Sequence, residues 1–124
     1  MPELQIASEL KFDDRGLLPA VVQDAENGQV LMVGYMNAEA VRRTLESGRT
    51  CFFSRSRQSY WVKGETSGSI QEVVEVRTDC DRDCLLVTVR QTGAACHLGF
   101  RSCFSHKVTP EAIETVEERI TEAY

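Results

Sequence analysis

No apolar run in this chain approaches the roughly 20 residues of a membrane-spanning helix, so a helical membrane protein is excluded. The opening Met1-Pro2-Glu3-Leu4-Gln5 has neither a basic stretch nor an apolar core, and no secretory signal is expected there. Net positive charge is also missing. Fourteen Lys and Arg stand against nineteen Asp and Glu. That balance argues against a broad nucleic-acid surface and leaves room only for a local basic pocket. No repeat, low-complexity tract or linker interrupts the sequence, so a single domain over residues 1–124 is expected. Cysteines are present, but no C-x-x-C pair is, and spacing therefore indicates neither a zinc ribbon nor a redox motif. Five cysteines, an odd number irregularly spaced, do not make a disulfide framework. They point to reduced thiols in a cytoplasm, kept for metal binding or reactivity.

What is present begins with alternating apolar segments. Leu17 to Asp24 reads as a strand, with Pro19 allowed at a strand start or edge. Asn27-Gly28 is the strongest hairpin turn, and the apolar run Val30 to Tyr35 follows it. Asn37 caps a helix in which Ala38, Val41 and Leu45 share a face, Met36 staples to Val41, and Gly48 ends it. Thr50 to Ser54 is a short apolar strand. Ile70 to Thr78 and Cys84 to Arg90 are β-branched strands, the second expected to be buried on both faces. Gln91 to Lys107 reads as irregular. A last helix is expected from Thr109 as cap, Pro110 at the first helical position and an apolar stripe of Ile113, Val116 and Ile120. The expected class is α+β, a mainly β domain with a mixed or barrel-like sheet and two peripheral helices.

The densest chemistry lies in Thr78-Asp79-Cys80-Asp81-Arg82-Asp83-Cys84. It is answered downstream by Ala95-Cys96-His97-Leu98-Gly99 and Arg101-Ser102-Cys103-Phe104. The aspartates are hard oxygen ligands suited to magnesium, and the thiols are soft ligands suited to zinc. An extended segment would place Asp79, Asp81 and Asp83 on one face and Cys80 on the other. It is not an EF-hand loop: Cys84 stands where the loop needs Gly, and Arg90 where it needs Glu. Cys51 and Cys84 sit in apolar strands and read as packing. Cys80, Cys96 and Cys103 have polar or turn-prone neighbours. Three ligands would leave zinc an open position for water, whereas four would make a purely structural module. His97 is open to three readings: core residue, ligand or proton shuttle. Arg55, Arg57 and Lys63 are candidate phosphate partners by residue type and neighbourhood, and Trp61 and Glu65 join them as candidate substrate-binding residues.

Taken together, these blocks resemble the phosphoribosyl-AMP cyclohydrolases of histidine biosynthesis. The resemblance runs from about Phe12 to Phe104. It includes Gly16-Leu17-Leu18-Pro19-Ala20, Tyr35-Met36-Asn37, Ser54-Arg55-Ser56-Arg57, Trp61 with Lys63-Gly64-Glu65-Thr66-Ser67-Gly68, and the aspartate and cysteine blocks. It implies zinc on Cys80, Cys96 and Cys103, magnesium on Asp79, Asp81 and Asp83, and an intertwined homodimer whose zinc sites draw ligands from both subunits. The implied reaction opens the purine ring of N-1-(5-phosphoribosyl)-AMP by attack of zinc-bound water at the amine-bearing ring carbon. His97 is then the candidate for proton transfer. Ser69 and Leu98 depart from the family's usual histidine and threonine.

Overall fold

The structure, a computed structural model, describes residues 8–124, and the expectation for Met1 to Gln5 lies outside them. Strands β1 (Leu18–Asp24) and β2 (Val30–Met36) form an antiparallel hairpin. The hairpin lies where the Asn-Gly pair predicts it, but its turn is longer than two residues: Gly28, at φ 77, donates its amide to the Asp24 carbonyl at 2.9 Å, and the Asp24 amide donates to the Gln29 carbonyl at 2.7 Å. Helix α1 (Ala38–Ser47) follows, then the hairpin β3 (Cys51–Ser54) and β4 (Ser59–Val62), the long hairpin β5 (Gln71–Thr78) and β6 (Leu85–Gln91), and a small hairpin β7 (His106–Val108) and β8 (Ile113–Thr115). The principal sheet has the order β2-β1-β6-β5. Its one parallel pairing, β1 with β6, joins the two hairpins and makes the sheet mixed. The sheet is open and does not close into a barrel. Pro19 lies in a central strand, one residue before the parallel ladder begins at Ala20, so its missing N–H interrupts no bond to β6.

One face of the sheet makes the core. Leu18, Ala20 and Val22 of β1, Leu31, Met32 and Met36 of β2, and Leu85, Val87 and Val89 of β6 pack with Ala40, Val41 and Phe52. Strand β6 alternates buried and less buried residues, which corrects the expectation of burial on both faces. On its second face Leu86 and Thr88 are half-buried and Arg90 is exposed. The Asn37 cap and Gly48 stop are as expected: Asn37 Oδ1 accepts from the Ala40 amide at 2.8 Å, and Gly48 adopts the left-handed conformation. The buried stripe of α1 is shifted, however, to Ala40, Val41 and Thr44, with Ala38 and Leu45 exposed. The Thr44 hydroxyl fastens the helix to β3 by donating to the Cys51 carbonyl at 3.2 Å and accepting from its amide at 3.0 Å.

The second expected helix is absent; residues 106–115 form the β7–β8 hairpin instead. Thr109 Oγ1 does accept from the Glu111 and Ala112 amides, as a cap would. The chain then turns back, with the Thr109 amide donating to the Ala112 carbonyl at 2.9 Å. The stripe of Ile113, Val116 and Ile120 that was to bury a helix face is exposed. Without a surface to cover, an isolated helix of that length has too little stabilisation to offset its nucleation cost. Among the described residues no helix is long and apolar enough to cross a membrane.

Candidate functional site

The aspartate segment is a turn. It joins β5 to β6, with the Asp79 amide donating to the Cys84 carbonyl at 3.2 Å, the Arg82 amide to the Asp79 carbonyl at 3.1 Å, and Arg82 at φ 62. The expected strand alternation is therefore wrong. Asp79, Asp81 and Asp83 nevertheless converge, with one ligand oxygen from each lying within 4.8 Å of the others. Turn curvature achieves what the pleat was expected to do. Asp79 also caps the turn by accepting from the Asp83 amide at 3.0 Å. Two of the acids are shifted in opposite directions. Burial alone would raise Asp79, but hydrogen bonds from the turn and from Asp83 hold it low. Asp83 is pushed up, mainly by its hydrogen bond to Asp79. Carboxylates that favour a shared proton would hold a divalent cation in its place, so this oxygen set fits magnesium.

Cys96 and Cys103 lie at the other end of the sheet, in the loop after β6. The Ala95 and Cys96 amides donate to the Arg101 and Phe100 carbonyls, and the Gly99 amide donates to Cys96, so residues 95–101 form a tight excursion with His97 and Leu98 exposed on it. The Cys103 amide donates to the Leu31 carbonyl at 2.7 Å, and Ser102 Oγ donates to the Val30 carbonyl at 2.7 Å, which ties the loop to β2. Arg101 closes it from the other side through an ion pair with buried Asp24 at 2.7 Å. Cys103 is exposed as a residue, but packing around its sulfur and the adjacent Cys96 sulfur push the thiol up to about 11, opposed by the Lys63 ammonium. Two neighbouring thiols, Cys103 held protonated beside the Cys96 sulfur, make a soft donor pair that fits a soft cation.

Cys80 does not join them. It sits on the β5–β6 turn, while the other two thiols lie beyond the far end of β6, whose seven residues span about 20 Å. Among the described residues the aspartate triplet is the only cluster of three or more potential metal ligands. Cys51 is buried in the core, and burial raises its thiol. Cys84 is half-buried at the base of the hairpin and is also raised, by burial first.

The five residues singled out for substrate divide. Arg55 and Trp61 line a cavity of about 530 Å³ with Arg15, Tyr35 and Ser56. Arg57 lies on an adjoining one, which Trp61 also lines. Lys63 is separate and buried, with its ammonium 3.4 Å from the Tyr124 hydroxyl and close enough to Cys103 to act on it electrostatically. Glu65 is exposed on the glycine-rich turn after β4. Gly64 is required there, since a Cβ on it would lie 2.3 Å from the Ser69 carbonyl carbon. Asp24 and Arg15 carried no recognisable signal in the sequence. Arg101 stood inside a recognised block, but nothing indicated its role as a clamp.

The family model for phosphoribosyl-AMP cyclohydrolase matches residues 32–105, a span that contains all six candidate metal ligands. The chain belongs to the phosphoribosyl-AMP cyclohydrolase family. A protein of that name from Ruegeria pomeroyi is 68% identical over 97 residues, covering 78% of this chain and 82% of the relative. One from Dinoroseobacter shibae is 61% identical with the same coverage. One from Cereibacter sphaeroides strain KD131 is 57% identical over 113 residues, 91% of each chain. This is an enzyme family, and the cyclohydrolase match takes in both the hairpin that carries the aspartates and the thiol loop.

Proposed function

We propose that the chain opens the purine ring of N-1-(5-phosphoribosyl)-AMP in histidine biosynthesis, with zinc on Cys80, Cys96 and Cys103 and magnesium on Asp79, Asp81 and Asp83. The observation that carries this reading is the family match spanning every one of these residues. Within one chain the length of β6, about 20 Å, separates the turn of Cys80 from the loop of the other two thiols, which supports a three-thiol site built by two copies of the chain, each bringing its turn to the other's loop. Exposed Phe104, Val108, Ile113 and Val116 supply apolar surface for such a homodimer.

Bound zinc would supply Lewis acidity toward water at neutral pH, softened by its thiolate ligands. The chain's own residues do the rest. A water oxygen bonds to the ring carbon bearing the exocyclic amine. The bond from that carbon to the phosphoribosyl-bearing nitrogen breaks, leaving a carboxamide. His97, exposed next to Cys96, takes a proton from the water and returns it to the departing nitrogen. The reaction takes place in a cytoplasm, where the thiols stay reduced.

Ring opening followed by ultraviolet absorbance, with and without chelator, tests the reaction. Mixing inactive Cys80→Ser and Cys103→Ser subunits tests the assembly, because one of the two zinc sites in a mixed dimer keeps all its ligands. Activity lost on chelation and partly restored on mixing is expected. Full turnover in chelated protein would reject the metal chemistry. No rescue after confirmed subunit exchange would mean that each site is built within one chain.

A further inference from the structure

We propose that Arg15, together with Arg55, forms a cradle for a sugar phosphate in the cavity between the turn before β1 and the β3–β4 hairpin. The naming of a nucleotide's phosphorylated ribose as the ligand rests on the reaction proposed above; the cradle itself rests on geometry.

The backbone of Arg15 is held by its own turn, with its side chain exposed at the cavity. Asp13 Oδ1 accepts from the Arg15 amide at 2.8 Å and the Leu17 amide at 3.0 Å, and Gly16 takes φ 77. Arg55 is fixed from below, its guanidinium carbon 3.9 Å from the centroid of the Tyr35 ring. Stacking occupies the face of a guanidinium and leaves its N–H edge free for the two-pronged grip that phosphate oxygens accept. Both guanidinium groups act on the same carboxylate, Asp13, and help to lower it, behind the hydrogen bonds from the Leu17 and Arg15 amides. Yet among the described residues neither arginine makes an ion pair. Asp13 is thus a carboxylate that faces both, at longer range than an ion pair, and the two cations lining one cavity leave their N–H edges for an oxyanion. The hydroxyls of Ser54 and Ser56, 3.4 Å apart, add further donors on the same wall. Trp61 and Phe53 give an apolar side for a sugar or base.

The cavity's volume of about 530 Å³ exceeds what a bare phosphate needs and suits a phosphorylated ribose. Its position matters as much. Asp81, Asp83 and Pro19 line a second cavity, and Pro19 is the cross-strand partner of Tyr35, so the two cavities open side by side on one face of the sheet. The turn holding Asp13 and Arg15 divides them. A ligand with two phosphates can place one on the arginines and the other toward a cation on the aspartates.

The test is calorimetric titration with ribose 5-phosphate in chelator, which removes any contribution from the aspartate site, with adenosine as the phosphate-free control. The parent protein should bind the sugar phosphate and not adenosine. Arg15→Gln and Arg55→Gln should each weaken binding about tenfold or more, Arg15→Lys by less, and Arg90→Gln, an exposed arginine elsewhere, not at all. In the ring-opening assay Arg15→Gln should raise KM more than it lowers kcat. Equal affinity in parent and folded Arg15→Gln, or no binding of ribose 5-phosphate by the parent at millimolar concentration, overturns the cradle. Arg15-dependent binding in a protein with no ring-opening activity would uphold the cradle and sink the reaction.

Discussion

Arg101→Ala should loosen the thiol loop and lower the stability of the whole domain. The Arg101 side chain, 29% exposed, donates one nitrogen to Asp24 at 2.7 Å and the other to the Gly93 and Gln91 carbonyls at 2.8 and 3.2 Å. Asp24 is 2% exposed, so truncating Arg101 strands a buried carboxylate. Breaking such a pair from one side costs about 3–5 kcal/mol. Water reaches Arg101, which puts the loss near the lower limit, about 3 kcal/mol. For a domain of this size that is a fall of about 12 °C in melting temperature. Melts belong at fixed protein concentration, because the proposed assembly would make Tm concentration-dependent. A thiol reagent should also label Cys96, 6% exposed in the parent, faster in the variant. The pH dependence has a definite sign. Burial alone would raise Asp24, but the hydrogen bond and charge of Arg101 and the Glu26 amide outweigh it and hold the carboxyl low. A depressed folded pKa stabilises above the unfolded value of about 4 and ceases to do so as pH falls through the folded value. The gap between parent and variant should therefore be full at neutral pH and close in acid. An unchanged melting temperature at neutral pH would refute the clamp.

Two further outcomes follow from local geometry. Gly34→Ala puts a Cβ 2.5 Å from the ring of fully buried Phe52, itself stacked on Trp61 at 4.7 Å, and should cost about 1–3 kcal/mol, read as a lower denaturation midpoint at constant m; a neutral result would mean that the ring pair moves freely. His97→Ala should keep the proposed zinc and magnesium and lose turnover by about 100-fold or more, whereas loss of zinc relative to the parent would mark His97 as a ligand and a lowered Tm with normal turnover as packing.

Short-range rules were readable in the sequence wherever one chemistry has one outcome. Gly28, Asn37 and Gly48 each specify a backbone conformation, and each is found in place. Thr109-Pro110 failed because the same hydroxyl-to-amide bonds begin either a helix or a turn. The choice depends on whether Ile113, Val116 and Ile120 have a surface to bury against, and no local pattern reports that. The aspartates were recognised as a group for a mistaken reason: a turn gathers them, not a strand face. Lys63 and Arg55, eight residues apart and similar on paper, were separated by the β3–β4 hairpin. Asp24 and Arg101 meet across 77 positions, beyond the reach of spacing arguments.

The parallel pairing of β1 with β6 also sets an order for events at the ribosome. Strand β2 can close on β1 through a short turn as soon as it emerges, but the other edge of β1 must wait for Leu85 to Val89. At usual synthesis rates that interval is on the order of several seconds. Throughout it an apolar strand offers unpaired amides and carbonyls to any neighbouring chain. Crowded nascent chains on one message are the neighbours at hand, so the yield of folded protein should depend on how quickly translation carries β6 into view.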